Sequence, residues 1–393
     1  MTAAAPPSGA DLVRRAEDLL PLLRENAARA ERERRLTDEV VEALAEAGVF
    51  RMSTPRRFGG LQTELPAQFE VIRTIARGCG SSSWVSALYA VCGWWASLFG
   101  DEVQDEVFAD PDTRVAGIVS PLGRLTADGD GFRLNGTWPF NTGCLHAQWN
   151  VVATLREHDG GALEPYLVIL PMSDVRIRDD WRTAGMAGTG SNSTVAEDVA
   201  LPAARAMPLG PLFGGGHRSE RNLGETMYSY AVFPFLLSLS YGTPIGMAQG
   251  ALEAFADRAG TRRTSFDDPT RQVEDPITQL QVAEAEMQIE CALALARATT
   301  GAIHAHAQDG VPLDREGRIR ARANVAYTTR LSLRAVQSLH EMSGASAGAL
   351  DTPIGRFLRD SSLLANHAFL NYEAHLRLLG GHLLGAESET IFL

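Results

Sequence analysis

Hydrophobic periodicity changes twice along this chain, near Asp110-Pro111-Asp112 and again after Gly214-Gly215-Gly216. Before the first change, apolar residues recur at helical spacing, as in Leu19, Leu20, Leu23 and Ala27 within a helix expected over 11–35. Thr37 reads as the cap of a second helix, with Asp38 and Glu39 in its first turn and Gly48 past its end. Two more helices are expected over about 66–78 and 81–99. Between the two changes the apolar runs are short, β-branched and broken by Gly, Asp and Asn. Examples are 115–119, 131–135, 149–155, 166–170 and 193–199, with Asp128-Gly129-Asp130-Gly131 as a hairpin turn. Helical patterns then return over about 221–385, broken near Asp267-Asp268-Pro269, Asp309 to Pro312 and Gly344 to Pro353.

This order predicts an α+β chain that is mostly α. Residues 1–112 should form a helical domain, 113–216 a small antiparallel β domain, and 217–393 a four-helix bundle. At 393 residues the chain exceeds one ordinary core. Its 36 Lys and Arg against 48 Asp and Glu leave a net charge of -12, a field that repels nucleic acid and anionic lipid. The uncharged stretch from Trp84 to Gly100 is too short to span a bilayer and reads as a buried helix. Cys79, Cys92, Cys144 and Cys291 form no CxxC pair, as expected of reduced thiols in a cytoplasmic protein. The first ten residues lack the pattern of a signal peptide. No GxGxxG follows a strand and no P-loop is present, so reducing equivalents must come from elsewhere. The histidines at 217, 304, 306 and 340 lack the spacing of metal ligands, and no metal is expected.

Several short motifs fall in a fixed order along this frame. They are Pro55-Arg56-Arg57-Phe58-Gly59-Gly60, Leu134-Asn135-Gly136-Thr137-Trp138 with Asn141, Gly188-Thr189-Gly190-Ser191, Arg263-x-x-Phe266 and Arg359-Asp360. Together they resemble the acyl-CoA dehydrogenase fold. Within that fold, Trp138-x-Phe140-x-x-Gly143-Cys144-x-His146-x-x-Trp149, Ser83-Trp84-Val85-Ser86 and Asn366-His367-Ala368 resemble the two-component flavin monooxygenases. Those members usually carry Ser where Thr142 stands.

The dehydrogenase branch carries Tyr-Glu-Gly-Thr seven residues after its Arg-Asp, whereas here His367-Ala368 occupies that place. Tyr372-Glu373 lies five residues late, roughly 7.5 Å along a helix.

The resemblance implies a monooxygenase that takes reduced FAD, or FMN as the alternative, from a separate NAD(P)H-dependent reductase. With O2 it would hydroxylate a small aromatic or heteroaromatic substrate through a flavin hydroperoxide, with amine or sulfur oxidation as near variants. It also implies a homotetramer that shares each flavin between subunits.

His367 is then the expected general base and Thr142 the hydrogen-bond donor at the flavin edge. Trp138, Phe140, Asn141, Gly143, Ser120 and Ser191 would face the flavin ring, and Arg263 its pyrophosphate. Trp84 and Tyr89 would wall the substrate pocket. The apolar neighbours Leu363, Leu370 and Ala374 equally fit His367 as a core residue. Two rival readings remain: a dehydrogenase using Glu373, and a scaffold that has lost its flavin.

Overall fold

The computed structural model describes residues 7–158, 160–213, 215–264 and 270–386. Phe266 of the Arg-x-x-Phe motif, the Asp267-Asp268-Pro269 break and Gly214 lie outside the described residues. Six helices come first: α1 (Gly9–Asp18), α2 (Leu20–Glu33), α3 (Asp38–Glu46), α4 (Leu65–Ala76), α5 (Gly80–Ala96) and α6 (Asp101–Val107). The single helix expected over 11–35 is two, with Leu19 joining them ahead of Pro21 near the start of α2. Thr37 caps α3 by accepting from the Val40 amide, and Gly48 follows in the left-handed region at φ 85°.

Seven strands follow among the described residues: β1 (Val115–Asp128), β2 (Gly131–Trp138), β3 (Trp149–Glu157), β4 (Leu163–Pro171), β5 (Arg176–Ile177), β6 (Thr194–Pro202) and β7 (Ala206–Pro208). They form one sheet in the order β5-β6-β2-β1-β3-β4-β7. Every pairing is antiparallel except β1 with β3, so the sheet is mixed rather than purely antiparallel as expected. The hairpin at 128–131 is present, with Asp128 opposite Gly131 and Gly129 at φ 57°.

Helices α7 (Gly210–Phe213), α8 (Val232–Ser240), α9 (Gly242–Ala259), α10 (Pro276–Gln308), α11 (Arg315–Met342), α12 (Pro353–Leu364) and α13 (Tyr372–Leu383) complete the described chain. The expected bundle is built on α9, α10, α11 and α12, with α8 and α13 packed on α11.

Period-two alternation gives the sheet two buried faces. Leu167 and Ile169 of β4 point into the large core shared with the helices. Tyr166, Val168 and Leu170 point the other way, into a smaller core with Leu125, Leu134, Val152 and Trp138. The cavity described next opens from the sheet toward α5 and α8, so the helix-facing side positions the chemistry. Among the described residues no helix is long and apolar enough to cross a membrane.

Candidate active site

A cavity of about 700 Å³ lies where β1, the turn after β2, α5, α8 and the segment after α12 converge. Leu88, Val91, Cys92 and Trp95 of α5 and Phe233, Leu236 and Leu237 of α8 make its apolar walls. Helix α5 is buried nearly all round, which explains its uncharged sequence. Thr142 and Phe140 enter from the turn after β2, Ser120 from β1, and His367 from the segment after α12. Among the described residues lining the cavity there is no Asp or Glu.

Four of the expected site residues therefore meet: Ser120, Phe140, Thr142 and His367. Phe140 adopts φ 62°, a left-handed conformation uncommon outside glycine, and its ring stands 63% exposed at the rim against the edge of Trp181. Ser120 is also exposed there. An exposed aromatic beside two hydroxyls is an arrangement suited to a planar heteroaromatic ring.

The Thr142 hydroxyl lies 2.9 Å from Ser191 Oγ, which lies 2.7 Å from Thr189 Oγ1, which donates to the Met186 carbonyl at 2.8 Å. A carbonyl can only accept, so the hydrogens of this buried chain run from Thr142 toward Met186. Thr142 thus presents lone pairs to the cavity, an acceptor rather than the expected donor. Ser191 does not line the cavity and orients Thr142 from behind.

His367 is half-buried and lines the cavity, its ring packed edge-on against Trp84 and Phe369, each 5.0 Å away between centroids. Burial lowers its pKa from 6.5 to about 4, so the imidazole is neutral at physiological pH. Its Nδ1 accepts from the Phe369 amide at 3.3 Å, which leaves the proton of the neutral ring on Nε2. The residue expected as general base therefore presents a neutral ring with its proton on Nε2.

The other expected positions have structural work. Trp138 is fully buried in the small core on the opposite face of the sheet, donating to the Ala153 carbonyl at 2.8 Å. Its indole lies against Gly123 and Gly136, where an added Cβ would come within 2.3 Å and 2.7 Å of ring atoms. That contact accounts for the Gly-x-Trp spacing in β2. Asn141 is buried and donates to Asn150 Oδ1 and Thr194 Oγ1, both at 2.8 Å, tying strand ends together. Tyr89 donates to the Gly143 carbonyl at 2.6 Å, and its ring sits where a Gly143 side chain would go. Trp84 backs His367 and does not line the cavity. Arg263 is exposed and bridged to Arg271, outside the cavity. The dehydrogenase candidate Glu373 is exposed in the first turn of α13 and lines a separate polar hollow of about 310 Å³.

Asp360 anchors the relay turn. Its carboxyl accepts from the Met186 amide, and Gly185 passes so close to Arg359 that a Cβ would meet the Arg359 carbonyl at 2.1 Å. Burial raises the Asp360 pKa from 3.8 to about 6, opposed by the Met186 bond and helped by Glu31. A raised carboxyl pKa favours the folded state while the acid is protonated, and that contribution is lost as pH rises from near 3.8 through about 6. Asp360→Asn, which mimics the neutral acid, should therefore gain on the parent by about 2 kcal/mol between pH 4 and pH 7. Urea unfolding of both proteins at the two pH values checks this; a constant difference would contradict the assignment.

Sequence reasoning missed Arg322, His375, Phe369 and the α8 residues of the wall. Only their convergence in space singles them out.

Comparison with known proteins agrees with this geometry. The acyl-CoA dehydrogenase N-terminal domain family matches residues 17–111 and the C-terminal domain family residues 241–372. The chain is 33% identical over 362 residues to the HsaA oxygenase subunit of a flavin-dependent monooxygenase from Rhodococcus jostii, covering 91% of this chain and 94% of that one. It is 30% identical to the oxygenase component of an FADH(2)-dependent resorcinol hydroxylase from Rhizobium sp., covering 96% and 94%. The crystal structure of the 3-HSA hydroxylase from Rhodococcus sp. RHA1 superposes with a TM-score of 0.92 at 30% identity, over 98% of this chain and 99% of that one. XiaF from Streptomyces sp., solved with FADH2 and glycerol, gives 0.91 at 27% identity, over 98% of each chain. The chain belongs to the flavin-dependent monooxygenases of the acyl-CoA dehydrogenase fold, as an oxygenase component.

Proposed function

We propose that this oxygenase hydroxylates a small aromatic substrate, using O2 and reduced FAD delivered by a separate NAD(P)H-dependent reductase. The observation that carries the reading is the cavity: an apolar slot with Thr142 and His367 in its wall and no carboxylate base among its described lining. Reduced flavin, when bound, supplies the electrons that activate oxygen. FAD is preferred to FMN because the FADH2-bound XiaF structure covers nearly the whole chain.

The polar groups of the rim fit a reduced ring in particular. Thr142 would accept the N–H that a reduced isoalloxazine carries and an oxidised one lacks, with Phe140 and Ser120 at the rim. Thr142→Val removes that acceptor. It should weaken reduced FAD by about fivefold, the value of one modest hydrogen bond, with oxidised FAD little affected. Anaerobic equilibrium dialysis checks this, and equal losses for both redox states would contradict it.

His367, neutral and with Nε2–H, would donate to the phenolic oxygen of the substrate and orient the ring in the cavity. The walls from α5 and α8 exclude water that would otherwise divert activated oxygen to hydrogen peroxide. Nothing at the cavity favours the dehydrogenase reading, since Glu373 lies in a different hollow.

A homotetramer is part of this proposal. Ile277, Leu280 and Met287 stand 60–69% exposed along one stripe of α10, and Cys291 continues it one turn on. Such an unpartnered apolar stripe suits burial against other copies of the chain. A cytoplasmic site accords with the four unpaired cysteines.

The test is incubation of the full chain with chemically reduced FAD, a panel of phenols and isotopically heavy O2. One heavy oxygen atom in a product supports the proposal. Hydrogen peroxide alone across the panel would oppose it.

A further inference from the structure

Behind the cavity, the hydroxyl relay that sets the Thr142 proton ends on the Met186 carbonyl. Met186 is buried and held in the left-handed region at φ 51°. That conformation is costly for a residue with a side chain and persists only where the surroundings impose it. Asp360 of α12 imposes it from the amide side, its Oδ1 accepting the Met186 N–H. Its Oδ2 faces the first turn of α5, 3.4 Å from where a Cβ on Gly80 would stand, and α5 has no side-chain cap of its own. The turn is wedged at this joint. A Cβ on Gly185 would strike the Arg359 carbonyl, and one on Gly188 would stand 3.1 Å from Ser81 of α5. One carboxyl thus joins α12, the start of α5 and the turn that ends the relay.

Stability alone does not explain an acid here. Asp360 is buried and makes no ion pair among the described residues. Arg359, next to it, is committed to Glu31 and to the Leu350 carbonyl. Arg356, one turn earlier, is itself buried, and its Nη1 has no hydrogen-bond partner among the described residues. A neutral amide would cost less in such a place. A buried acid outside an ion pair departs from stable packing in the way that functional sites do. An ionised carboxylate contributes a charge-assisted acceptor that cannot also donate. It therefore fixes the direction of the Met186 N–H, and so the backbone of the residue whose carbonyl the relay uses.

We propose that Asp360 is a positioning residue: by holding Met186 it keeps the Thr142 proton directed away from the cavity, and so lets the site tell reduced flavin from oxidised flavin. Without that hold the Met186 carbonyl is free to leave Thr189, and the Thr142 hydroxyl can turn its proton into the cavity. Thr142 would then donate to the bare ring nitrogen of oxidised flavin as readily as it accepts the N–H of reduced flavin. With the hold in place, oxidised flavin, the spent form, finds no donor at Thr142 and is free to leave. This rests on the reading of Thr142 as the acceptor for reduced flavin.

The experiment is anaerobic equilibrium dialysis of the full chain against reduced FAD and, separately, oxidised FAD, read as the ratio of the two affinities. The parent should favour reduced FAD by about fivefold or more, the value of one hydrogen bond. Asp360→Ala should bring the ratio close to one, and Asp360→Asn, which keeps an acceptor oxygen, should keep most of it. Thr189→Val cuts the same relay without touching α12 and should match Asp360→Ala. In a Thr142→Val background, Asp360→Ala should change the ratio no further. A purely structural carboxyl would weaken both redox states alike, so a parent-like ratio in Asp360→Ala overturns the proposal. Should that variant fail to fold, a parent-like ratio in Thr189→Val overturns it instead. A parent ratio near one removes the reading of Thr142 and the proposal together. Loss of the ratio in Thr142→Val but not in Asp360→Ala removes the inference about Asp360 alone.

Discussion

Replacing His367 with alanine is expected to lower product formed per reduced FAD consumed by about a hundredfold, the order of effect of losing a group that orients the reacting ring. Hydrogen peroxide should rise by the amount of product lost, because the cavity walls and Thr142 remain in place. Two features distinguish a donor from a base. His367→Gln keeps an N–H without useful basicity and should recover a substantial part of the yield. The parent yield should also show no break near pH 6.5, because protonation of His367 begins only as pH falls toward about 4. Quantifying product and peroxide in the three proteins from pH 5 to pH 8 checks both. A break near pH 6.5, with the glutamine variant as poor as alanine, would restore the general-base assignment.

The second large effect concerns stability. Trp138 is fully buried between strands, with its indole nitrogen on the Ala153 carbonyl and its ring against Gly123 and Gly136. Trp138→Ala should destabilise the chain by about 3–5 kcal/mol, through lost burial and the cavity left behind. That is a large share of the roughly 5–15 kcal/mol that holds a typical domain together. Trp138→Phe keeps most of the volume and should lose far less. Urea unfolding measures both. Unchanged stability with a collapse in reduced-FAD affinity would return Trp138 to the cofactor.

Trp138 also shows where sequence reading reaches its limit. The alternation of β2 is plain in Leu134, Gly136 and Trp138, but a sheet with two buried faces gives no sign of which one carries the cofactor. Asn141 and Tyr89 lie next to the cavity without lining it, and sequence alone does not separate a polar or aromatic residue that touches ligand from one that holds a turn. Thr142 and His367 were legible because motif spacing places them, yet their hydrogen-bond polarity was not. It depends on the Met186 carbonyl and the Phe369 amide, which only folding brings to them. Arg322 and His375 come from separate helices, α11 and α13, and no local pattern joins them. The helical and β blocks were legible because their hydrophobic periods differ, whereas the parallel β1–β3 pairing was hidden by β1 running on through an irregular register between Ile118 and Gly123.

The account's central claim is that this protein governs the reaction of reduced flavin with oxygen. The most direct test is rapid mixing of anaerobic protein and reduced FAD with oxygenated buffer, following the absorbance of oxidised flavin. The account predicts a lag before oxidised flavin appears, longer than for free flavin, and shortened in Thr142→Val. Oxidised flavin appearing at the free-flavin rate, with no lag, would contradict it.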